Sequence, residues 1–204
     1  MENISIAEQK SFLRKRAKDE LKKYFADKAL SLQCAKTVAD YFLKSKEYAE
    51  AKVIFAYMAM NDEVDLSFVI NKALQDKKKV ALPRMAENSN DMDFYFIDSF
   101  EESFSDDNKY GILEPSLQNK KVEPEKIPEK SVFLVPGLAF NLEGSRLGRG
   151  KGFYDKYLSQ IPLQNQIFCG VCTVNVVTKA IPFEKNDFKM NYLLTEYGFI
   201  SLNR

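Results

Sequence analysis

The sequence predicts an α/β domain: a mainly parallel central sheet flanked by helices. Three observations lead there. Apolar runs of strand-forming types (VIFAYM at 53–58, KVALPR at 79–84, SVFLV at 131–135, QIFCGVC at 166–172) alternate with stretches of helical periodicity. Such runs are nearly continuous rather than alternating, which suits strands covered on both faces. The 204 residues, 45% hydrophobic and 29% charged with no break in composition, suit one domain over residues 1–204.

In chain order, residues 5–25 are expected to be helical. Ser5 with Glu8 three later is a capping-box pattern, and Leu13, Ala17, Leu21 and Tyr24 form an apolar stripe. Lys10, Arg14 and Lys18 share another face, either a solvated basic face or, for Lys10 and Arg14, a pair aimed at an anion. Residues 28–44 form a second helix, with Leu32, Ala35, Val38, Ala39 and Phe42 on its buried side. After the strand at 53–58 comes Met60-Asn61-Asp62-Glu63, and a third helix starts near Asp65 carrying Leu66, Val69, Ile70, Ala73 and Leu74. Glu63 is either a solvated charge near that helix start or, lying beyond the carboxyl end of a central strand, a residue facing a ligand.

The run at 79–84 is the second strand, and 91–97 (DMDFYFI), which alternates more, is a third strand nearer an edge. Residues 98–130 are the least regular, with Tyr110-Gly111-Ile112 and Glu114-Pro115 as the ordered patch expected there. The strand at 131–135 feeds a glycine-rich loop, a helix follows over about 152–159, 166–172 is a fifth strand, 182–190 a polar loop with Asp187, and 192–195 a short last strand.

Composition narrows the chemistry. The formal net charge is +1, so no whole-protein field draws in nucleic acid, and an anion site must be local. No apolar run approaches membrane-span length, and MENISIAEQK lacks the apolar core of a signal peptide. With three cysteines, a reducing cytoplasm is the expected compartment. There is no histidine, which excludes histidine bases, Ser-His and Cys-His pairs and histidine metal ligands. A metal must then sit on oxygens, which favours Mg²⁺.

The candidate site is LVPGLAFNLEGSRLGRGKGFYDKYL, Leu134 to Leu158, which holds five of the eight glycines. Strand, glycine-rich loop and helix in that order make a cradle for phosphate oxygens. Neither common nucleotide fingerprint fits: residue 145 is Ser rather than the first glycine of a P-loop and Lys151 is followed by Gly152, while G-x-G-x-x-G fails at Phe153. Arg146, Arg149, Lys151 and Lys156 within eleven residues favour a polyphosphate over a merely flexible basic loop. Asp155 is either a routine first-turn acid or, beside a phosphate, a residue that needs a cation between them; Asp187 is the best second acid. Cys169 and Cys172 stand in an apolar strand, with no second pair, and are expected to be buried structural thiols. The aromatic residues are core by default, with those near the loop able to stack on a heterocycle.

PGLAFNLEGSRLGRGKGFYDKYL resembles the signature of the 5-formyltetrahydrofolate cyclo-ligases, also called 5,10-methenyltetrahydrofolate synthetases. The likeness covers nearly the whole chain, with Lys10 to Arg14, Met58 to Glu63, Met92-Asp-Phe, Tyr110 to Ile112, Glu114-Pro115 and Asn186-Asp187 following in the family's order. It implies an ATP-dependent cyclisation of 5-formyltetrahydrofolate, with release of ADP and phosphate, needing Mg²⁺ but no histidine. It also implies that Lys10, Arg14, Arg146, Leu147, Gly148, Arg149, Gly150, Lys151, Gly152, Phe153 and Tyr154 hold ATP. Met58, Glu63, Tyr110, Arg149, Lys151 and Phe153 would face the folate, Asp155 and Asp187 would hold Mg²⁺, and Arg149 and Lys151 would be catalytic. The chain departs from the family's habit at Asn186, Asn191 and Asn141, where His, Asp and Asp are common. The partners expected are these small molecules, without nucleic acid or membrane, for a monomer. Two other classes compete: a ligase acting on another pterin or small carboxylate, and a non-catalytic nucleotide- or RNA-binding module, against which the near-neutral charge counts.

Overall fold

The computed structural model describes residues 4–86, 91–100, 104–105 and 113–202. It contains the helices α1 (Ile6–Ala26), α2 (Lys28–Leu43), α3 (Lys46–Glu50), α4 (Ser67–Gln75) and α5 (Phe153–Leu158). The strands are β1 (Val53–Phe55), β2 (Lys79–Met85), β3 (Met92–Ile97), β4 (Phe104–Ser105), β5 (Glu114–Pro115), β6 (Val132–Pro136), β7 (Ala139–Asn141), β8 (Arg146–Leu147), β9 (Ile167–Val171), β10 (Val177–Thr178), β11 (Tyr192–Thr195) and β12 (Gly198–Ser201).

Seven of these form the central sheet in the order β12-β11-β9-β6-β1-β2-β3. The five inner strands pair parallel, and only the two edges, β3 and β12, are antiparallel to their neighbours. The predicted fold class is therefore the observed one. The near-continuous apolar runs are where they must be: β1 and residues 80–82 of β2 are buried throughout, as are residues 132–135 of β6. The alternation in β3, with Met92, Phe94 and Ile97 buried, marks the edge strand.

Register aligns a row of aromatic rings across the sheet. Phe55 pairs with Phe133, and Phe133 with Phe168, so their rings stack at 4.1 and 5.1 Å. Phe94 closes one end edge-on at 5.2 Å from Phe55, and Phe188 closes the other at 4.7 Å from Phe168. Each such contact contributes about 0.5–1.5 kcal/mol beyond burial. Phe188 directly follows Asp187, so the row also anchors a loop.

The capping box at α1 forms: Ser5 Oγ accepts from Glu8 N–H at 3.3 Å, and Glu8 Oε2 accepts from Ser5 N–H at 2.9 Å. Several expectations are corrected. Leu32 of α2 is exposed, because the helix buries Cys34, Ala35, Val38, Ala39 and Phe42 and turns residue 32 outward. β1 ends at Phe55 rather than 58: Ala56 N–H still donates to Ala81 O at 3.0 Å, and beyond it the Tyr57 hydroxyl donates to Val64 O at 2.9 Å, tying together the turn that follows. The stretch before the glycine loop is a hairpin, β7–β8, and not plain loop. Asn141 makes its turn: Oδ1 accepts from Glu143 and Ser145 N–H at 3.1 and 2.8 Å, and Gly144 takes a φ of 80°. Asn191 is structural, its Oδ1 accepting from Phe168 N–H at 2.7 Å and its Nδ2 donating to Gln166 O at 3.0 Å. Cys34, Cys169 and Cys172 are free and buried, and burial pushes all three thiols up. Among the described residues no helix is long and apolar enough to cross a membrane.

Candidate active site

Strand order reverses between β1 and β6: from β1 the chain extends through β2 and β3 to one side, and from β6 through β9 and β11 to the other. Open α/β sheets leave a ligand crevice outside the carboxyl ends of the strands at such a point. Here the crevice is a cleft of about 480 Å³ lined by residues from Lys10 to Asp187. One wall is apolar, built of Met58, Met60, Pro83, Met85, Met92 and Leu113, and so holds four of the chain's six methionines. Methionine fills irregular space and adapts to flat ligands, so this wall suits a ring system. The other wall is the glycine loop with the groups that fasten it.

The loop is fixed from several directions. Gly150 and Gly152 have φ of 99° and 73°, a region L side chains avoid, so the alternation with Arg149 and Lys151 is a backbone requirement. Arg14 of α1 donates Nε–H to Gly148 O at 3.0 Å and lies against Gly150, where an added Cβ would stand 3.4 Å from the guanidinium carbon. Arg146, on β8, is buried beneath the loop. Its Nη2 donates to Asp155 Oδ2 at 2.8 Å, Nη1 to Pro136 O at 3.2 Å, and its guanidinium sits 5.5 Å from the Tyr154 ring. Arg149 reaches across to the turn after β1, to Asp62 and Glu63. Burial works against its charge, but those carboxylates outweigh it and raise its pKa above the usual value.

Lys10 is buried and bridges Glu184 and Asp187, with Nζ 2.7 and 2.6 Å from their oxygens. Its desolvation is outweighed by the two acids, so its pKa also rises. Asp187 Oδ2 accepts from Glu184 N–H as well, at 2.8 Å, and Phe188 N–H donates to Asp155 Oδ1 at 3.2 Å. Asp155 and Asp187 are thus joined through one residue. Of the five cations lining the cleft, Lys151 alone makes no side-chain hydrogen bond or ion pair among the described residues, and it is exposed.

Lys10, Arg14, Met58, Glu63, Arg146, Leu147, Gly148, Arg149, Gly150, Lys151, Gly152, Phe153, Tyr154, Asp155 and Asp187 all line this cleft. Tyr110 lies outside the described residues. The solvated readings fail for Lys10 and for Glu63, whose side chain is only 10% exposed. Two cations of the sequence pattern do not join in: Lys18 is solvated on α1, and Lys156 turns away to pair with Asp91. Sequence reasoning gave no site role to Glu184, Asp62 and Glu114, or to the methionine wall beyond Met58. Glu184 sits three before Asp187 and Asp62 next to Glu63, so proximity to a chosen acid was the signal. Glu114, buried beside Arg84 and accepting from Met85 N–H at 3.2 Å, was expected as part of an ordered patch with Pro115 but was given no site role.

Among the described residues lining the cleft, the hard metal donors are oxygens. Among the described residues no group of three or more acids or thiols could hold a metal ion unaided. Mg²⁺ asks for less, one or two carboxylates with waters and phosphate oxygens completing the octahedron. Two carboxylates, Asp155 and Asp187, line the cleft, each accepting from one cation and one backbone N–H.

Residues 6–196 match the model of the 5-formyltetrahydrofolate cyclo-ligase family. The chain is 26% identical over 200 residues to the 5-formyltetrahydrofolate cyclo-ligase of Mus musculus, covering 96% of this chain and 98% of that protein. It is 32% identical over 160 residues to the probable 5-formyltetrahydrofolate cyclo-ligase of Schizosaccharomyces pombe, 73% and 77% of the two chains. Among solved structures, it superposes on the 5,10-methenyltetrahydrofolate synthetase of Aquifex aeolicus with a TM-score of 0.77 at 28% identity, covering 96% of this chain and 93% of that one. The 5,10-methenyltetrahydrofolate synthetase from Mycoplasma pneumoniae shares the fold, with a TM-score of 0.67 at 22% identity, covering 92% of this chain and 98% of that one.

Proposed function

This chain belongs to the 5-formyltetrahydrofolate cyclo-ligase family, and on that premise we propose that it converts 5-formyltetrahydrofolate to 5,10-methenyltetrahydrofolate at the expense of ATP and with Mg²⁺. The observation that carries this reading is the two-sided cleft: a methionine wall fit for a pterin and benzoyl ring system faces a cationic glycine loop fit for phosphates.

The formyl oxygen takes the γ-phosphoryl group, giving ADP and an imidate-like phosphate. N10 then attacks the formyl carbon and gives up its proton, the C–O bond breaks, and phosphate leaves carrying that oxygen and taking up the proton. Every part the chain plays is positioning or charge neutralisation, which fits the absence of histidine. Lys151, exposed and without a partner among the described residues, is the cation free to follow charge moving between the γ-phosphoryl and the formyl oxygen. Arg14 and the Gly148–Gly152 backbone hold the polyphosphate, while Lys10 and Arg146 trade part of their contact with Asp187, Glu184 and Asp155 for phosphate oxygens. Glu63 accepts N–H bonds from the aminopyrimidine edge. The cleft lining has as many carboxylates (Glu63, Glu114, Asp155, Glu184, Asp187) as cations, so an incoming polyphosphate needs a cation of its own. Mg²⁺ held by Asp155 and Asp187 supplies that charge when bound.

Purified protein with ATP, Mg²⁺ and 5-formyltetrahydrofolate should generate the methenyl chromophore, and omitting any one of the three should abolish it. Folded protein that gives no chromophore overturns the proposal.

A further inference from the structure

Arg149 has two carboxylate partners where one would neutralise it. Nη1 and Nη2 clasp Asp62 at 3.2 and 2.5 Å, while Nε and Nη2 both reach Oε1 of Glu63, at 3.2 and 2.9 Å. The remaining Glu63 oxygen, Oε2, accepts from Met60 N–H at 3.0 Å. Glu63 is nearly enclosed, whereas Asp62 and Arg149 keep contact with water. Oε1, which takes both Arg149 bonds, is fully engaged and turns to a ligand only by releasing that partner. If Arg149 had Glu63 alone, that release would strand an unpaired guanidinium at the cleft, which is costly. Asp62 removes the penalty, because its two-pronged grip keeps Arg149 neutralised and in place after Glu63 lets go.

We propose that Asp62 is a positioning residue for folate recognition: it retains Arg149 at the cleft while Glu63 exchanges Arg149 for the N–H edge of the ligand's ring. This rests on the reading of Glu63 as the pterin acceptor given above. Asp62 is not among the residues lining the cleft and acts through Arg149.

Calorimetric titration of 5-formyltetrahydrofolate and, separately, of Mg–ATP tests this. Asp62→Asn keeps the shape and removes the charge, and should raise the folate Kd by roughly tenfold to a hundredfold. The nucleotide Kd should stay within about threefold, and Asp62→Glu, which keeps a carboxylate, should recover most of the folate affinity. In an Arg149→Met background Asp62→Asn should change folate affinity by less than about twofold, since no guanidinium is left to hold. Unchanged folate affinity in Asp62→Asn, equal loss for both ligands, or a loss that persists without Arg149 each overturns the proposal. Arg149→Lys is a second variant that leaves Asp62 alone. Lysine lacks the planar fork that grips both Asp62 oxygens while Nε faces Glu63, so folate affinity should again fall, and undiminished affinity there also overturns it. A wild-type chain that binds no 5-formyltetrahydrofolate overturns the functional reading itself, and the role of Asp62 with it.

Discussion

Lys151 and Asp155 stand four residues apart, yet the structure gives them different consequences. Lys151 is exposed and has no partner among the described residues, so Lys151→Ala should leave the melting temperature unchanged. Its turnover should fall by at least about a hundredfold, because a preorganised cation at the developing charge is lost. Asp155 holds the buried Arg146 and the Phe188 N–H, so Asp155→Asn should lower turnover and also cost about 1–3 kcal/mol of stability in urea titration. Near-normal rates in both variants would remove the phosphate assignment from this loop. The residue types were legible in the sequence because Gly148 to Asp155 is a dense local pattern. The partners were not, because Lys10 with Asp187 and Arg149 with Asp62 join positions far apart in the chain. Only the fold states which charge is free and which is already spoken for.

At the scale of elements, the β7–β8 hairpin does more than lead into the loop. Gly144, at its turn, accepts Met190 N–H at 2.8 Å, and a Cβ placed on Gly144 would fall 2.2 Å from Met190 O. That backbone contact fixes the end of the 182–190 loop, whose other anchor is the Phe188 ring on Phe168. Gly144→Ala adds left-handed strain to a backbone clash, so it should cost at least about 2 kcal/mol and lower turnover through displaced Asp187. A variant with wild-type urea midpoint and rate would show the contact to be dispensable. The long helices and inner strands were legible because their periodicity is strong. The hairpin, α3 and β12 were not. α3 is a five-residue helix, and the hairpin turn is set by the Asn141 side chain bonding its own backbone, a signal carried by one residue.

For the whole molecule, the missing histidines leave a gap in titration between the carboxylates and the thiols. Stability should therefore be flat from about pH 6 to pH 8.5. Above that, burial holds the Cys34 thiol up from 9.0 to about 11. Lys10, despite its desolvation, is also raised by Asp187 and Glu184. Both groups bind their proton more tightly when folded, so the stability they contribute is complete below their unfolded pKa and is lost as pH climbs through the folded one. Urea midpoints should match at about pH 6.5 and 8 and drop by about pH 10.5. Equal midpoints at all three would contradict the burial of Cys34.

The bridge from Lys10 to Glu184 and Asp187 has a consequence for how the protein comes into being. A ribosome delivers α1 long before the 182–190 loop, so that helix emerges with its lysine unmatched and Ala17, Leu21 and Phe25 uncovered. β1 likewise waits for β6, its neighbour in the finished sheet. A nascent chain can thus build much of its sheet while still lacking a working cleft, and Glu184 and Asp187 complete a site begun by Lys10.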